Sequence, residues 1–165
     1  MRDLVILGGG TAGTMVANRM RRRLGDDWTI TVVDRDDRHP YQPGYLFVPF
    51  DGASTGHLVR SRHSYIGDRI DFLVAEVDRI VPEGNVVLLA DGRSLAYDYL
   101  VVATGVSPRP DLTPGVLGEQ WRRSIFDLYT LDGAQALREA LLRFDHGRLV
   151  VHVAETPIKC PVAPL

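Results

Sequence analysis

The 165-residue sequence has a single cysteine, Cys160, so no internal disulfide can form, which fits a reducing, cytoplasmic compartment. It has no apolar run long enough to cross a bilayer as a helix. Neither sign of charge dominates. Nineteen Lys and Arg against 21 Asp and Glu give a formal net charge of -2. Such a chain has no global basic field for a phosphate backbone, and nucleic acid is not an expected partner. Close metal-ligand spacing is also missing: His39, His57, His63, His146 and His152 are scattered, and no metal site is expected. There is no internal repeat and no low-complexity tract. Arg2 before the apolar run 4–7 has the look of a signal peptide, but the run is short and stops at Gly8, as a strand would. What remains is an ordinary globular composition, 45% hydrophobic and 24% charged. That suffices for one packed domain, or one domain and the beginning of another.

Residues 4–7 form a continuous apolar run followed by glycines, the pattern of a parallel strand buried on both faces. Residues 12–24 read as a helix, with Ala12, Val16, Met20 and Leu24 along one side. Arg19, Arg21, Arg22 and Arg23 gather at its carboxyl end, where cations suit the helix dipole; they read as a solvated helix end. Residues 29–33 are β-branched throughout and end in Asp34, completing a βαβ unit. Residues 35–56, with three prolines and several aromatics, read as a long functional loop. Tyr41, Tyr45 and Phe47 there suit either a wall beside a cofactor or an aromatic mini-core. Residues 70–81, 86–89 and 94–97 are expected to form an antiparallel meander, and 99–103 another buried strand. Pro108, Pro110, Pro114 and Gly115 mark a linker, after which residues 131–144 form an amphipathic helix and 148–154 open a strand. The expected fold is α/β: a Rossmann-like domain over 1–110, with a parallel central sheet and the meander, then the start of a second α/β domain over 111–165.

The chemistry begins at LVILGGGTAGTMVANRM, in which Gly8, Gly10 and Gly13 make G-x-G-x-x-G between the first strand and its helix. Glycine is needed there for a tight turn, for close backbone approach to a pyrophosphate and for close helix–strand packing. The backbone N–H groups of Gly8, Gly9, Gly10, Thr11, Ala12 and Gly13 are then placed at the positive end of the helix. Asp34, at the end of the second strand, is the acidic partner that accepts hydrogen bonds from ribose hydroxyls. Its charge favours FAD or NAD over NADP, with Arg35 beside it as the residue a 2′-phosphate would use.

The segment YDYLVVATG, residues 97–105, follows the meander and resembles the second element of the two-dinucleotide-fold flavoproteins. That resemblance implies FAD as cofactor, with Ala103, Thr104 and Gly105 approaching it and with Tyr41 and Val77 near it. At the start of the second domain, LVVHVA runs into Glu155-Thr156-Pro157 in place of another glycine triad, so reduction by NADH is not expected.

In that place stands ETPIKCPVAP, residues 155–164, which together with YQPGYLFVPF, residues 41–50, resembles the sulfide:quinone oxidoreductase and flavocytochrome c sulfide dehydrogenase group. The resemblance covers essentially the whole chain but only the leading part of such a protein. It implies that Cys160, flanked by Pro161, lies beside the flavin and takes part in oxidising sulfide or a small thiol. Electrons would pass through FAD to quinone. Lys159 would favour the thiolate where its ammonium faces it. The partner cysteine would lie beyond residue 165, and RSIFDLYT, residues 123–130, lacks the cysteine that some members carry there. The full-length form would be cytoplasmic or peripheral on the inner face of the cell membrane, through regions beyond these residues. An exposed half-sheet over 148–165 would invite association, a homo-oligomer included. The alternatives are an enzyme of the type II NADH dehydrogenase kind and a non-catalytic FAD-binding module.

Overall fold

A computed structural model describes residues 1–51 and 55–154, arranged as two compact units. The first unit comprises Met1–Pro40 and Val59–Val106, and the second Tyr41–Leu58 and Ser107–Leu165.

The first unit begins with β1 (Arg2–Leu7), α1 (Thr11–Arg21) and β2 (Trp28–Asp34). It continues with β3 (Arg38–Pro40), β4 (Val59–Ser61), β5 (Asp71–Val74), a hairpin of β6 (Val77–Val81) and β7 (Val86–Leu89), then β8 (Ser94–Ala96) and β9 (Tyr99–Val102). The central sheet is parallel throughout, in the order β5-β2-β1-β9. Strands β6, β7 and β8 form an antiparallel meander, and β3 pairs antiparallel with β4.

The two-residue period of the strands sorts their side chains onto two faces. Leu4, Ile6, Ile30 and Val32 pack with Ala17 of α1, whereas Val5, Leu7 and Val33 pack with Val87 and Leu89 of the meander. Helix, parallel sheet and meander are thus three stacked layers, and β1 is apolar at every position from Leu4 to Leu7 because both its faces are covered. Burying side chains of this size contributes roughly 1.5–3 kcal/mol each, which makes β1 and β2 the hydrophobic centre of the unit.

Arg21 departs from the expected solvated helix end. Its Nη1 donates to Trp28 O at 3.0 Å and its Nη2 to Leu24 O at 2.9 Å, with Gly25 O a further acceptor of Nη2. The guanidinium thereby closes the turn between α1 and β2. Arg21→Met should lower stability by about 1–3 kcal/mol in urea unfolding, because three carbonyls lose a charged donor while the aliphatic bulk is kept.

In the second unit the chain makes a 3-10 turn at Gln42–Phe47, enters α2 (Val48–Asp51), turns again at Thr55–His57 and later forms α3 (Leu131–Leu141). Tyr45, Val48, Leu58 and Ala134 form its core. Thr130 caps α3 by accepting from the Gly133 N–H at 3.1 Å. The described residues of this unit contain helices and turns but no strand.

Three expectations need correction. Residues 35–56 are not one long loop: they hold β3, two 3-10 turns and α2. Pro43 is the second residue of the first turn, where its fixed φ is favourable, and β3 is three residues long with a partner some twenty residues on, so neither element leaves a periodic trace. Residues 70–81 do not all belong to the meander. Strand β5 leaves it to pair parallel with β2, Thr31 opposite Asp71 and Asp34 opposite Val74. A short apolar run carries no record of its partner. Finally, residues 148–154 form no strand; Leu149, Val150 and Val151 are 63%, 72% and 60% exposed. A β-rich sequence becomes a strand only when a neighbour takes its backbone hydrogen bonds, and among the described residues none does.

Candidate cofactor-binding site

In the strand order β5-β2-β1-β9, the chain goes outward from β1 through β2 to β5 and returns to the other side of β1 as β9. The crevice of an open parallel sheet lies at that reversal, beyond the carboxyl ends of the strands. Here it is built by Gly8–Gly13 after β1 and Ala103–Gly105 after β9, with Asp34 at the end of β2.

The glycines serve different ends. Gly8 has φ +100°, and a Cβ on it would lie 2.4 Å from Ala103 O, so the two strand ends touch only because it is glycine. A Cβ on Gly13 would lie 1.8 Å from Gly8 O, which fixes how closely α1 sits on the loop. On Gly9 it would meet Arg62 Cδ at 3.0 Å. Gly10 is the exception: among the described residues nothing lies within 4 Å of a Cβ there, and its φ of -73° is open to any residue. Packing among the described residues therefore does not account for the glycine at position 10.

The same loop is short of an anion. Gly10 is the N-cap of α1, no side chain caps the helix among the described residues, and its first turn carries no acid. Thr11 and Ala12 are exposed beside the open space over Gly10. The first N–H groups of a helix have no acceptor within it and carry the positive end of its dipole.

Around this opening the backbone is tightly held. Gly8 N–H donates to Val33 O at 2.8 Å, and Gly9 N–H to Asp34 Oδ2 at 2.7 Å. Gly9 O accepts from Thr14 Oγ1 at 3.0 Å and lies 3.3 Å from His39 Nδ1. Ala103 N–H donates to Leu7 O at 2.7 Å, and Gly105 turns away with φ +74°. Asp34 faces Arg62, whose Nη2 stands 3.1 Å from Asp34 Oδ1 and 3.2 Å from Asp36 Oδ1. Asp37 holds the backbone of Arg62, its Oδ1 accepting the Arg62 N–H at 2.9 Å, while the Ser61 hydroxyl on Oδ2 keeps its carboxyl below the ordinary 3.8.

Gly8, Gly9, Gly10, Thr11, Ala12, Gly13, Asp34, Ala103, Thr104 and Gly105 are thus gathered at one edge of the sheet. Arg35 is turned outward, its side chain 79% exposed and its Nε 4.0 Å from Asp36. Val77 starts β6 and packs on the cluster of Val5, Leu7 and Val33. Tyr41 belongs to the second unit, where it is 61% exposed and its N–H donates to Leu58 O. Lys159, Cys160 and Pro161 lie outside the described residues. Arg62 and His39 were not legible as site residues, since nothing in RSRHS or RHP marks either as a neighbour of the glycine loop.

A family profile described as pyridine nucleotide-disulphide oxidoreductase matches residues 2–152. The chain belongs to that family. Its members bind FAD. The mitochondrial sulfide:quinone oxidoreductase of Mus musculus is 28% identical over 98% of this chain and 36% of its own length. The ferredoxin–NAD(+) reductase component of the p-cumate 2,3-dioxygenase system of Pseudomonas putida is 33% identical over 96% of this chain and 41% of its own. Among solved structures, the sulfide:quinone oxidoreductase of Aquifex aeolicus has the same fold, with a TM-score of 0.70 at 21% identity, covering 87% of this chain and 32% of that one. The putidaredoxin reductase in its covalent complex with putidaredoxin gives a TM-score of 0.66 at 32% identity, over 85% of this chain and 34% of the other. The present chain therefore spans well under half the length of these relatives.

The loop of this pyridine nucleotide-disulphide oxidoreductase fits the family's cofactor. The uncapped start of α1 and the space over Gly10 suit a pyrophosphate, and Asp34 at the end of β2 suits a ribose.

Proposed function

We propose that this chain is the FAD-binding part of an oxidoreductase that takes electrons from sulfide or a small thiol and delivers them to quinone. The glycine loop carries the cofactor half of that reading: Gly10 leaves open space at a helix start that has no capping side chain. In this reading the loop Gly8–Gly13 holds the pyrophosphate, with the N–H groups from Gly10 on as donors because those of Gly8 and Gly9 are bonded to Val33 and Asp34. Asp34 holds the adenosine ribose, and Ala103, Thr104 and Gly105 admit the cofactor at the end of β9, with Tyr41 and Val77 as further contacts. Bound there, FAD would supply two-electron redox chemistry. Cys160 is the sulfur nucleophile as its thiolate, Lys159 favours that charge where its ammonium faces it, and Pro161 is a further cofactor contact. Residues 111–165 begin the second domain that carries this cysteine.

Support for sulfide comes from the similarity to the mouse sulfide:quinone oxidoreductase over 98% of the chain, together with K-C-P at 159–161. A second reading, electron transfer between NADH and a ferredoxin, is favoured by the 33% identity to the Pseudomonas putida reductase component. The missing glycine triad at 149–157 counts against it. Contact with a membrane quinone would be peripheral, at the inner face of the cell membrane; among the described residues no helix is long and apolar enough to cross a membrane. The exposed apolar residues 149–151 would favour self-association.

The test is the visible spectrum of the purified protein after incubation with FAD and washing, then after anaerobic addition of sulfide. Retained flavin that bleaches with sulfide in the wild type but not in Cys160→Ser supports the proposal. Bleaching by NADH and not by sulfide favours the second reading. Retained flavin that neither donor reduces leaves a binding module, and failure to retain flavin overturns the cofactor assignment.

A further inference from the structure

Arg62 is 7% exposed, and its guanidinium reaches three acceptors: Asp34 Oδ1 at 3.1 Å, Asp36 Oδ1 at 3.2 Å and, through Nε, Asp36 O at 2.9 Å. Burying an ion pair is a poor way to stabilise a strand end, since hydrophobic side chains of similar volume do as well or better. What the pair provides, and hydrocarbon would not, is a carboxylate held in one orientation. An ionised carboxylate has about four acceptor positions. Gly9 N–H occupies one on Asp34 Oδ2 at 2.7 Å, and Arg62 one on Oδ1, with the Asp36 N–H at the limit of bonding distance, 3.5 Å from Oδ1. Among the described residues Oδ2 has no second hydrogen-bond partner, and it lies against the glycine loop through its bond to Gly9.

We propose that Arg62 is a positioning residue for the adenosine ribose of the cofactor: it fixes Asp34 from behind so that Oδ2 accepts the ribose 2′-hydroxyl. The inference rests on the FAD reading above and deepens it. Arginine suits this place because Nη2 reaches the carboxylates of Asp34 and Asp36 while Nε donates to Asp36 O, a two-nitrogen pattern that the single ammonium of lysine does not reproduce. Asp37 and the Ser61 hydroxyl, which tie down the backbone of Arg62, complete the support.

The experiment compares binding of FAD and of FAD carrying 2′-deoxyadenosine to the apo form of the full chain, by flavin fluorescence, in the wild type and in Arg62→Met. The wild type should prefer FAD by about tenfold, the worth of a hydrogen bond to a charged acceptor. In Arg62→Met the preference should fall to within about twofold, because Asp34 is no longer held in its accepting orientation. If Arg62 matters only for stability, both ligands weaken equally and the tenfold ratio survives, which overturns the proposal. A wild type that binds both analogues equally removes the ribose from Asp34 and overturns it as well. A wild type that binds neither refutes the FAD reading itself, and the inference with it. Should Arg62→Met fail to fold, Arg62→Lys takes its place: a ratio below about threefold supports the proposal, and an unchanged ratio overturns it.

Discussion

Gly10→Val should give a chain that unfolds in urea close to the wild-type midpoint but no longer retains FAD, whereas Gly13→Ala should be destabilised before any ligand is added. The two glycines are three residues apart in one motif, and their surroundings are opposite. A Cβ at position 10 meets no atom of the described residues within 4 Å and the backbone keeps an ordinary φ of -73°, so the cost to the apoprotein is that of a poorer N-cap, about 1 kcal/mol or less. It does occupy the space in front of the uncapped N–H groups of α1. Losing two hydrogen bonds to a charged phosphate corresponds to a weakening of about 100-fold or more. At position 13 a Cβ falls 1.8 Å from Gly8 O. That oxygen has little freedom to move, because the Gly8 N–H is bonded to Val33 O and Gly8 itself abuts Ala103. Overpacking against fixed backbone costs about 3 kcal/mol or more, a large part of the ~5–15 kcal/mol that holds a small domain together. Urea midpoints of both apoproteins, with FAD retention after washing, check the pair. Equal destabilisation of the two variants would mean that the space over Gly10 is filled by protein.

The second large effect is expected at Asp34. Asp34→Ala leaves the Arg62 guanidinium, 8% exposed in its side chain, with Asp36 as its remaining carboxylate, and deprives the Gly9 N–H of its acceptor. Removing one member of a buried ion pair costs about 3–5 kcal/mol, and the surviving contact with Asp36 puts this variant near the lower figure. Asp34→Asn separates the two parts. The amide oxygen still accepts the Gly9 N–H, so the loop keeps its shape, while Arg62 loses one of its two charged partners. The asparagine variant should therefore recover part of the stability but little of the affinity for FAD. Full recovery of both would mean that the carboxylate charge is immaterial. Chemical unfolding and flavin titration on the same preparations distinguish these results.

Much of this site can be read from short stretches of sequence. G-x-G-x-x-G after an apolar run, a helix pattern behind it and an acid at the end of the next β-branched run lie within 34 residues. Their constraints are local: a positive φ at Gly8, a close helix approach at Gly13, and the alternation that sends Leu4 and Ile6 to one face and Val5 and Leu7 to the other. The segment ending in Ala103-Thr104-Gly105 was legible for the same reason, as an apolar strand with a small-residue turn. Arg62 was not, because what matters about it is a meeting with Asp34, 28 positions earlier in the chain. Nor was Arg21, whose neighbours in RMRRRL are indistinguishable from it until the turn to β2 brings carbonyls to one guanidinium.

By itself, then, the sequence determined the βαβ unit, the glycine loop, its acidic partner and the β9 turn, since each follows from backbone conformation and side-chain spacing over a few residues. Only the tertiary structure decided that β5 pairs with β2 and not with the meander, that β9 returns to the far side of β1 and opens the crevice there, and that residues 148–154 stay outside any sheet. It also decided that Arg62 stands behind Asp34. The physical reason is common to all four: strand pairing and buried ion pairs depend on which distant partner is within reach, and a local pattern of apolar or charged residues does not record that partner.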